Sequence, residues 1–111
     1  MMKHIKPPRI AQIITIAPFC IVCLFTNGET RHIDFKHLLD EWKTNETTLK
    51  LLDFEEFKQV SISESKTLQW ANINVYLPFL PTNLQHQPYD LDPDVLYQQS
   101  TLINKKRKSQ L

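Results

Sequence analysis

Asn27-Gly28 holds the only glycine in the chain. It stands between CIVCLFT at residues 20–26 and ETRHIDF at residues 29–35. Asn-Gly flanked by apolar alternation is a strong hairpin signal, because both residues tolerate the positive φ of a type I′ turn. A two-residue loop predicts a register. One face pairs Cys20 with Phe35, Val22 with Ile33 and Leu24 with Arg31; the other pairs Ile21 with Asp34, Cys23 with His32 and Phe25 with Thr30. The first face is apolar on both strands except at its rim and reads as the core face. Residues 9–16 add an isoleucine-rich strand, and Pro18 breaks the chain before the hairpin.

Beyond the hairpin, FKHLLDEW predicts a short helix with Leu38, Leu39 and Trp42 on one side. LLDFEEFKQV predicts a second, with Asp53 as N-cap and Glu56 three residues later in a capping-box arrangement. QVSISE and TLQWAN alternate as strands, with Val60, Ile62, Leu68 and Trp70 inward. In DLDPDVLYQQS, Asp92 and Pro93 mark a helix N-terminus. The expected fold is α+β: an antiparallel β-meander with short helices packed on the sheet, one small domain within 111 residues. Residues 1–8 read as an N-terminal arm, 9–100 as the domain, and 101–111 as a basic, disordered tail. The expected core is Ile14, Val22, Leu24, Ile33, Leu38, Leu39, Leu52, Phe57, Val60, Ile62 and Trp70, with Phe25 left outside it.

Composition and spacing argue against most chemistry. A net charge of +1 gives no general electrostatic affinity for nucleic acid or membrane. One glycine leaves no Gly-rich phosphate loop. On a strand, Cys20 and Cys23 lie roughly 10 Å apart on opposite faces, too far for a disulfide, and they lack a second ligand pair for zinc. They read as inert, which suits a reducing cytoplasm. His32 opposite Cys23 is at most half a metal site. DLDPD spaces aspartates as a calcium loop does, but Val95 and Thr101 stand where that loop needs glycine and glutamate. The basic and apolar N-terminus resembles a leader, yet Gln12, Thr15 and Pro18 interrupt it and it is short for a span. No catalytic, cofactor or metal residue is predicted, and neither an enzyme nor a membrane partner is expected.

The segment Asn74 to Tyr89 has no folding period. It carries Tyr76, Phe79, Leu80, Leu84 and Tyr89 among Pro78, Pro81 and Pro88, which are expected to keep it out of regular ladders. Its apolar side chains either close over the sheet as a lid or face a second protein chain, and these five residues are the candidate partner-binding set.

The order FTNGETRHIDFKHLL, LLDFEEFKQVSI, TLQW, DLDPDVLY resembles the small bacterial domain-of-unknown-function family 2442, over about residues 5–100. The resemblance implies an α+β domain without established catalytic residues, found in the neighbourhood of toxin–antitoxin gene pairs. Here the stretch from Trp70 to Asp90 is longer than the family pattern. Two functions follow. The first is a non-enzymatic interaction protein, the antitoxin-like or accessory member of a bacterial two-gene module, which covers a neighbouring-gene product or a copy of itself. The alternative is a nucleic-acid-binding accessory using Lys3, Lys6 and Arg9 with Lys105, Lys106, Arg107 and Lys108.

Overall fold

The computed structural model describes residues 7–103. Strands β1 (Ile10–Ala17), β2 (Cys20–Phe25) and β3 (Thr30–Asp34) form the expected antiparallel meander. A short strand β7 (Thr101–Leu102) adds to its edge, giving the order β1-β2-β3-β7. Residues expected to begin the tail are therefore part of the sheet. A second antiparallel sheet has the order β4-β5-β6, from β4 (Ser61–Ile62), β5 (Leu68–Tyr76) and β6 (His86–Asp90). The short helices are α1 (Leu39–Lys43), α2 (Phe54–Phe57) and α3 (Pro93–Gln99). The fold is α+β, as its alternating patterns imply.

The hairpin at Asn27-Gly28 forms with a different loop. Gly28 N donates to Phe25 O at 2.9 Å and Phe25 N to Glu29 O at 2.8 Å, so the loop is Thr26-Asn27-Gly28. Only Gly28 has positive φ, at 89°, while Asn27 uses its side chain to accept from Glu29 N at 3.0 Å. This is the three-residue loop with glycine in the left-handed position rather than type I′. The register slips by one: Ile21 lies opposite Ile33, Val22 opposite His32 and Cys23 opposite Arg31. A one-residue slip turns every side chain over. The buried face is thus Ile21, Cys23, Phe25 and Ile33, and Val22 and Leu24 sit half-exposed on the other. Ile21 against Ile33 buries two large side chains, where the expected register set Ile21 against Asp34.

Strand β1 carries two register irregularities against β2, around Ala11 and Ile14. Such bulges give one strand an unpaired residue, and Ile14, expected in the core, is 46 % exposed. Its turn into β2 is Pro18-Phe19, with Phe19 at φ 66°. Packing holds that strained residue: its ring meets Phe57 edge-on at 5.3 Å and its carbonyl accepts from Phe35 N at 2.9 Å.

The helical stretches begin as 3-10 turns, Lys36–Leu38 before α1 and Leu49–Leu52 before α2. Asp53 caps α2 by accepting from Glu55 N at 3.0 Å. Glu56 does not close the expected capping box; it accepts from Asn72 Nδ2 at 2.8 Å and so ties α2 to β5. Asp92 caps α3 by accepting from Asp94 N at 2.8 Å, with Pro93 following as predicted. Both sheets meet at an aromatic cluster of Phe35, Trp42, Phe57 and Trp70, with Trp42 and Trp70 5.9 Å apart edge-to-face. Both indole N–H groups are satisfied: Trp70 donates to Phe57 O at 2.7 Å and Trp42 to the Tyr89 hydroxyl at 3.0 Å. Of the expected core, Ile33, Phe57, Val60 and Trp70 are buried. Leu38, Leu39, Leu52 and Ile62 pack half-buried at its margin, with Leu51 filling the interior position expected for Leu52.

Candidate functional site

The region around residues 74–89 is a β-hairpin rather than an irregular excursion. Trp70 pairs with Tyr89, then a bulge on β5 precedes Asn74 opposite Pro88 and Tyr76 opposite His86. Pro88 thus lies within a ladder, on an edge strand, the place in a sheet where a missing N–H is tolerated. Between Tyr76 and His86 the loop is tied internally. Leu77 N donates to Gln85 O at 2.7 Å, and Gln85 Nε2 donates to Pro78 O at 3.2 Å and Leu80 O at 3.1 Å. Gln87 Nε2 donates to Leu84 O at 2.7 Å, below the 3-10 turn Thr82–Leu84. These two amide side chains supply the partners that a strand ladder would otherwise give the loop carbonyls. Neither is marked in the sequence, since a glutamine's partners depend on where the chain turns back.

The held loop projects apolar side chains outward. Phe79 is 80 % exposed, Tyr76 56 % and Leu84 46 %. Tyr76 rests beside His86, ring centroids 5.2 Å apart. Between Lys66 and Asp90 the chain carries no Asp, Glu, Lys or Arg. Absence of charge together with exposed aromatic residues distinguishes the centre of an interface from ordinary surface.

Leu80 and Tyr89 belong elsewhere in the same region. Both line a groove of about 760 Å³ on the β4-β5-β6 sheet, where Val75, Leu77, Leu80, Pro88 and Tyr89 stand among the polar side chains of Ser63, Gln69 and Gln87. Ser65, Glu64 and Asp90 stand at its border. Tyr89 is fixed from beneath by Trp42 and by the Trp70 ring 5.8 Å away. Burial pushes its hydroxyl pKa up, so it stays protonated. Of the five candidate residues, Tyr76, Phe79 and Leu84 are exposed and Leu80 and Tyr89 are groove lining.

Sheet edges offer less. The β1 edge is twisted by two bulges and β6 carries Pro88, both devices that discourage strand addition.

Other candidates fare as follows. Cys20 and Cys23 are free thiols, and burial raises the Cys23 pKa to about 12, far from thiolate chemistry at neutral pH. His32 lies opposite Val22, not Cys23. Among the described residues no group of three His, Cys, Asp or Glu is placed to hold a metal ion, and no helix is long and apolar enough to cross a membrane. Arg9 is engaged by Asp94 at 2.8 Å. Lys3, Lys6, Lys105, Lys106, Arg107 and Lys108 lie outside the described residues.

Away from the hairpin, α3 and β7 are joined to β3 by Arg31. Its guanidinium bonds Glu29 at 2.7 Å, Ser100 O at 3.2 Å and the Ser100 hydroxyl, and lies 4.3 Å over the Tyr97 ring. The Tyr97 hydroxyl donates to Glu29 at 2.6 Å. Every member has a partner within the chain, which makes this cluster a structural clasp. Comparison of the chain with family models, curated proteins and solved structures finds no match in any of the three.

Proposed function

We propose that the chain is a non-enzymatic interaction protein that covers another protein chain through the tip of the β5–β6 hairpin. The observation that carries this is Phe79, an 80 % exposed aromatic on a loop held by its own hydrogen bonds and flanked by uncharged sequence. A loop already ordered loses less entropy on association, so exposed apolar area there converts more fully into affinity. The resemblance of its motif order to family 2442 supports an antitoxin-like or accessory role in a bacterial two-gene module, acting in the cytoplasm.

The test is co-expression with the product of the adjacent gene, using the wild type and the Phe79→Ser, Leu84→Ser double variant. The expected result is a stoichiometric complex that the variant loses while its melting temperature stays unchanged. A complex indifferent to both substitutions would remove the hairpin tip from the interface.

A further inference from the structure

The hairpin carries a projection and a recess side by side, and neither is used within its own chain. The projection is Phe79, which makes no ring contact with any described aromatic residue and is 80 % exposed. The recess is the groove of about 760 Å³ floored by Val75, Leu77, Leu80, Pro88 and Tyr89. The loop that lifts Phe79 outward also walls the groove, through Leu77 and Leu80. Both are therefore rigidly related by the ties that Gln85 makes to Pro78 and Leu80.

We propose that the occupant of this groove is Phe79 of a second copy of the chain, in a two-fold dimer where each copy inserts its Phe79 into the groove of the other. This deepens the interaction reading above and rests on it. Three observations favour a copy over a different chain. In a two-fold interface a surface meets itself, so any charge near the axis faces its own sign; no Asp, Glu, Lys or Arg lies between Lys66 and Asp90. The groove has a mixed lining in which Leu77, Leu80 and the Tyr89 ring offer apolar surface to a phenyl group beside Gln69 and Gln87. Among the described residues that line it, the formal charges are the carboxylates of Glu64 and Asp90, which suit the electropositive edge of an entering aromatic ring. An anionic peptide finds no oppositely charged rim here. An added strand is discouraged by Pro88 in β6.

The experiment is sedimentation equilibrium from micromolar to near-millimolar concentration on the wild type and two single variants. Phe79→Ala removes the projection. Ser65→Trp fills the recess from an exposed position at its border, without touching the core. The expected result is a wild-type dimer that each variant weakens by about tenfold or more, with melting temperatures unchanged. An equimolar mixture of the two variants regains a heterodimer, because the Phe79 of one still fits the open groove of the other; a general loss of fold would not be rescued by mixing. A wild type monomeric at every concentration overturns the proposal, as does a Phe79→Ala dimer of wild-type strength or a ladder of open polymers. If the wild type is monomeric yet loses its adjacent-gene partner on Phe79→Ser, the second copy is wrong and the interaction function stands. If neither association responds to Phe79, both fall.

Discussion

Two hairpins of this chain solve the same problem by opposite means. The β2–β3 hairpin closes over three residues, and its loop conformation is set locally by Gly28 at φ 89° and the Asn27 side chain. The β5–β6 hairpin closes over a longer loop with no glycine, and two side chains, Gln85 at the loop's end and Gln87 in β6, hold its carbonyls. The first places its apolar side chains, Ile21, Cys23, Phe25 and Ile33, in the core; the second displays Tyr76, Phe79 and Leu84. A turn set by backbone conformation serves to fix a register, whereas a loop scaffolded by side chains can hold apolar groups away from the core.

The contrast breaks first at the core. Trp70→Ala, at a fully buried indole that donates to Phe57 O, is expected to cost about 3–5 kcal/mol in urea unfolding. Phe79→Ser, at an exposed aromatic ring, should stay within about 0.5 kcal/mol of wild type. Equal losses at both positions would mean that the tip is core after all.

Gly28→Val should cost about 1–2 kcal/mol. A Cβ there meets nothing within 4 Å, so the penalty is backbone strain at φ 89° and not a clash. The same urea titration measures it, and an unchanged midpoint would show that the turn adjusts freely.

Gln85→Ala is expected to loosen only the distal loop, by about 1 kcal/mol of local opening. Faster amide exchange or proteolysis within residues 77–85, at unchanged global stability, is the signature. Cooperative unfolding of the whole chain would contradict the separation between the two hairpins.

The smallest effect is electrostatic. The Tyr97 hydroxyl and then the Arg31 guanidinium bond the Glu29 carboxylate and lower its pKa from 4.5. A carboxylate whose folded pKa is depressed contributes stability that is full above its unfolded value and lost as pH falls through the folded value. Glu29→Gln should therefore flatten stability against pH below about 4.5 and leave the β5–β6 loop unaffected. Identical acid limbs in the two proteins would remove Glu29 from that dependence.

What could be read in advance follows the range of the forces involved. The caps at Asp53 and Asp92, the three strands of the meander and the burial of Phe57 and Trp70 depend on neighbours in sequence or on clear alternation, and they stand. The hairpin register did not, because glycine also serves the left-handed position of a three-residue loop, and the register that loop gives sets Ile33 opposite Ile21. Bulges in β1 interrupt a two-residue period without any residue announcing them, so Ile14 was assigned to the wrong side. At the candidate site the apolar residues between Asn74 and Tyr89 are legible as a group, while whether each is covered or exposed is not. Their division into projection and recess depended on which of them the returning β6 strand covered, a long-range fact that local pattern does not contain.

The hydrogen bond from Trp42 to Tyr89 has an optical consequence. The chain has two tryptophans, and their rings lie 6.4 and 5.8 Å from that of Tyr89 on the groove floor. Both indoles are shielded from water, so intrinsic emission is expected at short wavelength and should redden on denaturation. A phenyl group pressed on Tyr89 would alter the surroundings of both fluorophores without exposing either, changing intensity with little change of colour. The protein thus contains its own label for occupancy of the groove, distinguishable from unfolding in a single spectrum.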